Sequence, residues 1–336
     1  MKPSIKDIAK LAGVSVGTVS RVLNNNPSVR PENRMKVLKA IAQLGYRPNP
    51  FARSLASKKT YMVSIFLPML NSEFYSYLFE GIDNVLSDAW YDSSIYPLFS
   101  KRRLMNYTNP NAFPYQSDGI MFVSLIPEKL FEGGHVPTRK PVVVIDARSE
   151  IYDSIYVDNI FGGYLAGKHL LEKKGNFILI TVSEKASPEF TSGVFVQRRI
   201  GFKKAFDEAG LELPQDNIFE INHSFAEAFI LTRRILKSKQ FSLPLNIFAV
   251  SDILAMGALE AVLERGLIPG KDVNIVGFDD LRWSKKLGLT TVRQPIMQMG
   301  KKAANLLLKR IAGESFPRRE IRFKPKLMIR RSTGGG

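Results

Sequence analysis

Apolar residues at the start of the chain fall at helical spacing: Ile5, Ile8, Ala9 and Ala12, then, after the break Gly13-Val14-Ser15, Val19, Val22 and Leu23. The pattern predicts helix, tight turn, helix. The Ser15 hydroxyl is suited to accept from an amide two or three residues on, so the second helix is expected over 16–23. A third helix is marked by Pro31 in its first turn, by Val37, Leu38, Ile41 and Leu44, and by Gly45 as its stop. From Tyr61 the periodicity changes. Strands are predicted over 61–68, 94–99, 119–124, 142–146, 155–159, 177–183, 217–222, 245–251 and 273–280, and helices over 74–89, 162–175, 198–210, 226–239, 252–266 and 298–313. This βα repetition implies parallel sheets covered on both faces. Two such sheets with a cleft between them are more natural than one very wide sheet.

Packing Val19, Val22 and Leu23 inward leaves Val16, Gly17, Thr18, Ser20 and Arg21 on the opposite face of the second helix. Small and polar groups at a helix start, with one long donor, suit entry into a major groove. A small helical subdomain that only holds partners together would show the same pattern, and charge decides between them. Residues 1–60 carry 12 Lys or Arg against Asp7 and Glu32, which is +10 of the chain's +17. Such a face supplies the salt-dependent phosphate attraction of DNA binding. Residues 318–336 add seven bases and Glu320, a net of +6, leaving 61–317 near neutral at +1. That basic run is read as guarding an exposed strand edge, in preference to a second DNA contact.

Residues 49–57 follow the third helix. Asn49 can cap and Pro50 fits a first helical position, yet so short a helix is unstable alone in water. The segment is expected to be helical only when something holds it; a plain interdomain linker fits it equally well. There are no cysteines, which removes disulfides, thiolate catalysis and Cys-based zinc sites. The start MKPSIKDIAK lacks the apolar core of a signal peptide and no long apolar run follows, so a cytoplasmic protein outside the membrane is expected. No GxGxxG follows a strand, no GxSxG elbow is present and only three histidines exist, so neither a dinucleotide oxidoreductase nor a serine hydrolase is indicated.

In open α/β sheets ligands sit beyond the carboxyl ends of the strands. Asp118, Asp146, Ser251, Asp252, Asp279 and Asp280 fall there, Arg198 opens a helix, and Phe74, Tyr75, His223 and Trp283 supply rings. Asp252 and Asp280 read better as caps or packing groups, Arg198 and Asp279 as ligand contacts.

The runs IKDIAKLAGVSVGTVSRVLNN and VLKAIAQLGYRPNPFARSLA closely resemble the headpiece of LacI/GalR-family transcriptional repressors. By that resemblance Val16 and Gly17 choose the half-site and Arg21 reads a base. The segment at 49–57 becomes a hinge helix in the minor groove, with Leu55 as wedge and Arg53 or Ala52 at the groove floor. Ser15, Thr18, Ser20, Asn24, Val29, Tyr46 and Asn49 complete the DNA-facing set. The chain departs from the family at Arg30, where a Ser or Thr cap is usual.

The resemblance continues through DNIFGGYLAGKHL, RRIGFKKAF, FAVSDILAMGALEA, NIVGFDD and TTVRQP. It implies an all-α helix-turn-helix headpiece (1–47), a hinge and linker (48–60), and an α/β body (61–336) of two Rossmann-like parallel-sheet lobes of periplasmic-binding-protein type. Lobe one would take 61–159 and 296–320, lobe two 160–290 and 321–332. Asp146, Arg198, Ser251, Asp279 and Gln294 occupy effector-contacting positions, with Ser251 where Asn is usual and His223 where a ring commonly stacks. Segment 97–118 is shorter and richer in proline than the family's helix there, which implies a remodelled cleft wall. The implied protein is a repressor of carbohydrate-utilisation genes, not an enzyme, with neither cofactor nor metal. Its partners are a palindromic double-stranded operator, a carbohydrate effector and its own copies, as homodimer or tetramer. A sugar-capturing transport receptor, and a regulator commanded by a phosphocarrier protein, are the alternatives.

Overall fold

A computed structural model describes residues 3–23, 26, 28–46, 59–70, 72–98, 101–108, 117–183, 192–238 and 240–335, in two compact units, Met1–Thr60 and Tyr61–Gly336.

The first unit holds α1 (Ile5–Ala12), α2 (Val16–Leu23) and α3 (Pro31–Leu44). Ser4 opens α1 with a capping box: its hydroxyl accepts from the Asp7 amide at 3.4 Å while its own amide donates to the Asp7 carboxylate at 2.8 Å. Gly13 ends the helix at φ 65°, a left-handed value that a Cβ would disfavour. The Ser15 hydroxyl then accepts from the Thr18 amide at 3.1 Å and starts α2 where the pattern predicts. α3 begins at Pro31 with no side-chain cap on Arg30 and stops at Gly45, φ 58°. Ile8, Val19, Val22, Val37 and Ala40 close the core. Leu38, expected inside, is 49% exposed, because the turn-by-turn spacing Val37, Ala40, Ile41, Leu44 leaves it on the rim.

The body runs β1 (Met62–Leu67), α4 (Glu73–Asp88), β2 (Asp92–Pro97), α5 (Lys101–Thr108), β3 (Gly119–Val123), α6 (Pro127–Leu130), β4 (Val142–Ile145) and β5 (Asp153–Val157). It continues through α7 (Asn159–Leu171), β6 (Asn176–Val182), α8 (Val194–Glu208), β7 (Ile218–Ile221), α9 (Phe225–Lys237), β8 (Leu245–Ala249), α10 (Asp252–Glu264) and β9 (Val273–Asp279). Then come α11 (Arg282–Leu287), β10 (Thr290–Arg293), α12 (Ile296–Ile311), β11 (Glu320–Phe323) and β12 (Lys326–Met328). Two sheets form, in the orders β11-β5-β4-β3-β1-β2 and β12-β10-β9-β8-β6-β7, parallel throughout except where β12 lies antiparallel to β10. Central strands such as β3, β4, β8 and β9 are buried at every residue, as expected for sheets with helices on both faces.

The chain passes between the sheets after β5, after β10 and after β11. This corrects the expected lobe boundaries. Residues 321–323 pair in parallel with β5, Ile321 opposite Ile155, and so belong to lobe one; lobe two regains the chain only at Lys326. β10 likewise extends lobe two to Arg293. Both C-terminal strands are sheet edges, which is where the basic run falls. Segment 97–118 keeps a two-turn helix, α5, and its residues 99–100 and 109–116 lie outside the described ones. Helices α7 and α8 approach so closely that a Cβ on Gly163 would stand 2.0 Å from the Arg198 carbonyl, and one on Gly201 1.8 Å from the Ile160 carbonyl. These two glycines therefore fix how deep Arg198 enters the body.

Candidate functional site

On the first unit, α2 presents Ser15, Val16, Gly17 and Arg21 to solvent, with Thr18 and Ser20 half-buried beside them. The Ser15 and Thr18 hydroxyls bond at 2.9 Å, and Arg21 Nε donates to the Gly17 carbonyl at 3.3 Å, which lays the guanidinium along the helix start. The result is a shallow helix N-terminus with one donor fork, of a shape that fits a groove. Val29 departs from the expected set. At 9% exposure it is a core residue, drawn in with Val19 and Val22 by its apolar side chain, and cannot offer that side chain to a base. Tyr46 packs partly against the same core. Asn24, Asn49, Ala52, Arg53 and Leu55 lie outside the described residues.

In the body a cavity of about 200 Å³ opens between the carboxyl ends of the two sheets. Lobe one contributes Phe74 and Tyr75 from the first turn of α4, Ser124 after β3 and Asp146 after β4. From lobe two come Phe195 and Arg198 on α8, His223, Ser251 and Asp279. Ser124 (φ 52°), Asp146 (φ 56°) and Asp279 (φ 123°) all have left-handed backbone, uncommon for residues with a side chain. This turn at the strand end aims each side chain into the cleft, a strain of the kind found at functional sites.

Arg198 is almost fully enclosed. Its Nε donates to Asn159 Oδ1 at 2.9 Å, its Nη1 to the Val250 carbonyl at 2.7 Å and to Asp279 Oδ1 at 3.3 Å, and its guanidinium lies 3.7 Å from the Phe278 ring centre. Gln294 is brought to the site but stands behind it, donating from Nε2 to Asp279 Oδ1 at 2.7 Å. Burial raises Asp279, against the pull of Arg198 and Gln294. Asp146 accepts from the Ser124 hydroxyl at 2.6 Å, and burial, only partly offset by Arg198 and Ser124, pushes its carboxyl up to about 6. Burial, reinforced by Arg198, pushes His223 down to about 4. The imidazole is therefore neutral at physiological pH, paired through Nε2 with the Ser251 hydroxyl at 3.0 Å. Burial also raises the Tyr75 phenol, which stays a donor.

Seven of the eight expected effector residues line the cavity, Gln294 being the exception. Trp283 does not join them: it is 53% exposed, on the short helix α11, with the Lys286 ammonium 4.5 Å from its ring centre. The other strand-end carboxylates are structural. Asp252 accepts from Ser284, Thr291 and the Leu281 amide, Asp280 pairs with Arg293 and Arg330, and Asp118 accepts from the Tyr61 amide. Ser124, Phe195 and Asn159 were missed. Ser124 ends a strand as Asp146 does, and Phe195 precedes Arg198 by one helical turn, so both signals were available. Asn159 carried none. Among the described residues no His, Asp or Glu cluster could hold a metal ion, and no helix is long and apolar enough to cross a membrane.

The family model "Bacterial regulatory proteins, lacI family" matches residues 4–49, and "Periplasmic binding protein-like domain" matches 168–333. Catabolite control protein A of Priestia megaterium is 31% identical over 343 residues, covering 99% of this chain and 100% of that protein. HTH-type transcriptional repressor PurR of Serratia proteamaculans is 32% identical over 345 residues, covering 99% and 97%. Among solved structures, the transcriptional regulator CelR–cellobiose complex superposes with a TM-score of 0.69 at 26% identity, over 98% of this chain and 99% of that one.

Proposed function

Because the chain belongs to the LacI family of bacterial transcriptional regulators, we propose that its cleft takes a small carbohydrate effector whose binding controls a repressor of carbohydrate-utilisation genes. The chain is a DNA-binding transcriptional repressor with a ligand-binding body, not an enzyme.

The observation that carries the effector reading is the cavity itself. Carboxylates and a guanidinium surround a space walled by Phe74, Tyr75 and Phe195. Sugar hydroxyls both donate and accept, and a sugar ring's apolar face packs on aromatic rings. The CelR complex, a relative by structure, holds cellobiose. In this reading the DNA-facing set is Ser15, Val16, Gly17, Thr18, Ser20 and Arg21, joined by Asn24, Tyr46 and Asn49. Leu55 opens the central base step in the minor groove, with Arg53 or Ala52 at the groove floor, and only specific DNA offsets the cost of ordering that segment. A palindromic operator needs two heads, so the working unit is a homodimer.

The test is to select an operator from random DNA with the purified full-length protein, then titrate it with and without sugars, sugar acids and nucleobases. At least one sugar should change operator affinity tenfold or more. A palindrome that binds while no sugar alters it would reject the carbohydrate reading. Response to a phosphocarrier protein instead would replace it.

A further inference from the structure

The charges around the cavity narrow the effector beyond its being a small molecule. Among the described lining residues the ionisable groups are Asp146, Asp279, Arg198, His223 and Tyr75. His223 and Tyr75 are neutral, which leaves two carboxylates and one guanidinium. The guanidinium is already engaged through Nε and Nη1 and paired with a carboxylate. Arg198 serves Asp279, Asn159 and the Val250 carbonyl and lies against Phe278. Asp146 stands in contrast, 4% exposed, with Oδ2 held by Ser124 and Oδ1 without a hydrogen-bond partner among the described residues. Native structures rarely leave a buried carboxylate oxygen unpaired, so it calls for a donor from elsewhere.

We propose that the cavity admits uncharged or cationic, hydroxyl-rich effectors and rejects anionic ones, with Asp146 as the residue that sets this preference. The proposal rests on the effector reading above and sharpens it. A hydroxyl or ammonium supplies the missing donor to Asp146 Oδ1. A phosphate or carboxylate in the same cavity meets a like charge at close range and finds Arg198 already neutralised. At the dielectric of a partly buried site, a second negative charge about 6 Å away weakens binding on the order of a hundredfold. The raised Asp146 carboxyl agrees with this, since Arg198 and Ser124 do not fully compensate its burial. The regulator would thus respond to a free sugar and ignore its phosphorylated form.

The experiment is calorimetry on the full-length protein with matched sets: glucose, glucosamine, glucuronate and glucose 6-phosphate; cellobiose and its phosphorylated and oxidised forms; and hypoxanthine against its nucleotide. Binding is expected only in neutral or aminated members, each anionic counterpart being about a hundredfold weaker or more. Asp146→Asn removes the charge and a buried ionic group together. It should shrink that ratio to tenfold or less, whereas a merely structural role would weaken both members of a pair alike. An anionic member binding as tightly as its neutral counterpart, or an unchanged ratio in Asp146→Asn, would overturn the proposal. A neutral nucleobase bound with its nucleotide rejected would sink the carbohydrate reading and leave the charge rule standing. Silence across all sets would overturn both.

Discussion

In the first unit the described side chains proposed to face DNA come, Tyr46 apart, from one eight-residue helix and its cap, and most of them lie in solvent. The cavity of the body draws its side chains from positions as far apart as Phe74 and Asp279, buried at the ends of strands in two sheets. The first surface is a local property of the chain; the second exists only after both sheets have formed. Function and stability should therefore separate in the head and be entangled around the cavity, a contrast that substitutions can break or sharpen.

The largest effect is expected at Arg198. Arg198→Ala leaves Asp279 buried without its cation and should cost the body about 3–5 kcal/mol in denaturant unfolding, together with the effector response. Stability close to wild type would place the entanglement elsewhere. Gly163→Ala drives a methyl toward the Arg198 carbonyl. Overpacking of this kind costs about 1–3 kcal/mol, and effector affinity should fall with it although Gly163 does not line the cavity. In the head, Arg21→Ala should weaken operator binding by about 1–3 kcal/mol in fluorescence anisotropy, with effector affinity and unfolding midpoint unchanged. Ser4→Ala removes the capping box and should lower head stability by about 1 kcal/mol, leaving body unfolding as it is.

A further set of effects is that of pH. The ordinary value of Asp146 is 3.8 and its folded value is about 6, so its contribution to stability is present below pH 4 and lost as pH rises through 6. His223 runs the other way: ordinary 6.5, folded about 4, so its contribution is present above pH 6.5 and lost as pH falls through 4. The two oppose each other in the wild type. In unfolding titrations between pH 4 and 6.5, stability should gain more on acidification in His223→Asn than in wild type, and less in Asp146→Asn, by at most about 1.4 kcal/mol per pH unit each. Parallel curves would remove these groups from the linkage.

The same contrast explains how much of the molecule is legible in its sequence. Helix ends in the head were legible because Ser15, Gly13 and Gly45 act on their immediate neighbours. Leu38 and Val29 were misplaced because neighbouring apolar residues compete for a small core, and only packing decides which goes in. In the body, strand ends pointed to Asp146, Ser251 and Asp279, since topology fixes where a parallel sheet binds. Gln294 behind the cavity, Trp283 in solvent and Asn159 under the guanidinium depend on side-chain directions that no spacing rule carries. The lobe boundary at 320 failed for a related reason. β11 and β12 are short edge strands a few residues apart, and which sheet each joins is set by pairing partners far away in sequence.

The central claim is that the cavity and the DNA-reading helix share one equilibrium. It is tested most directly by measuring affinity in both directions: operator affinity with saturating effector, and effector affinity with saturating operator. Coupling between two binding sites is reciprocal, so the account predicts the same fold-change in both. An effector that binds equally well with and without operator would contradict it.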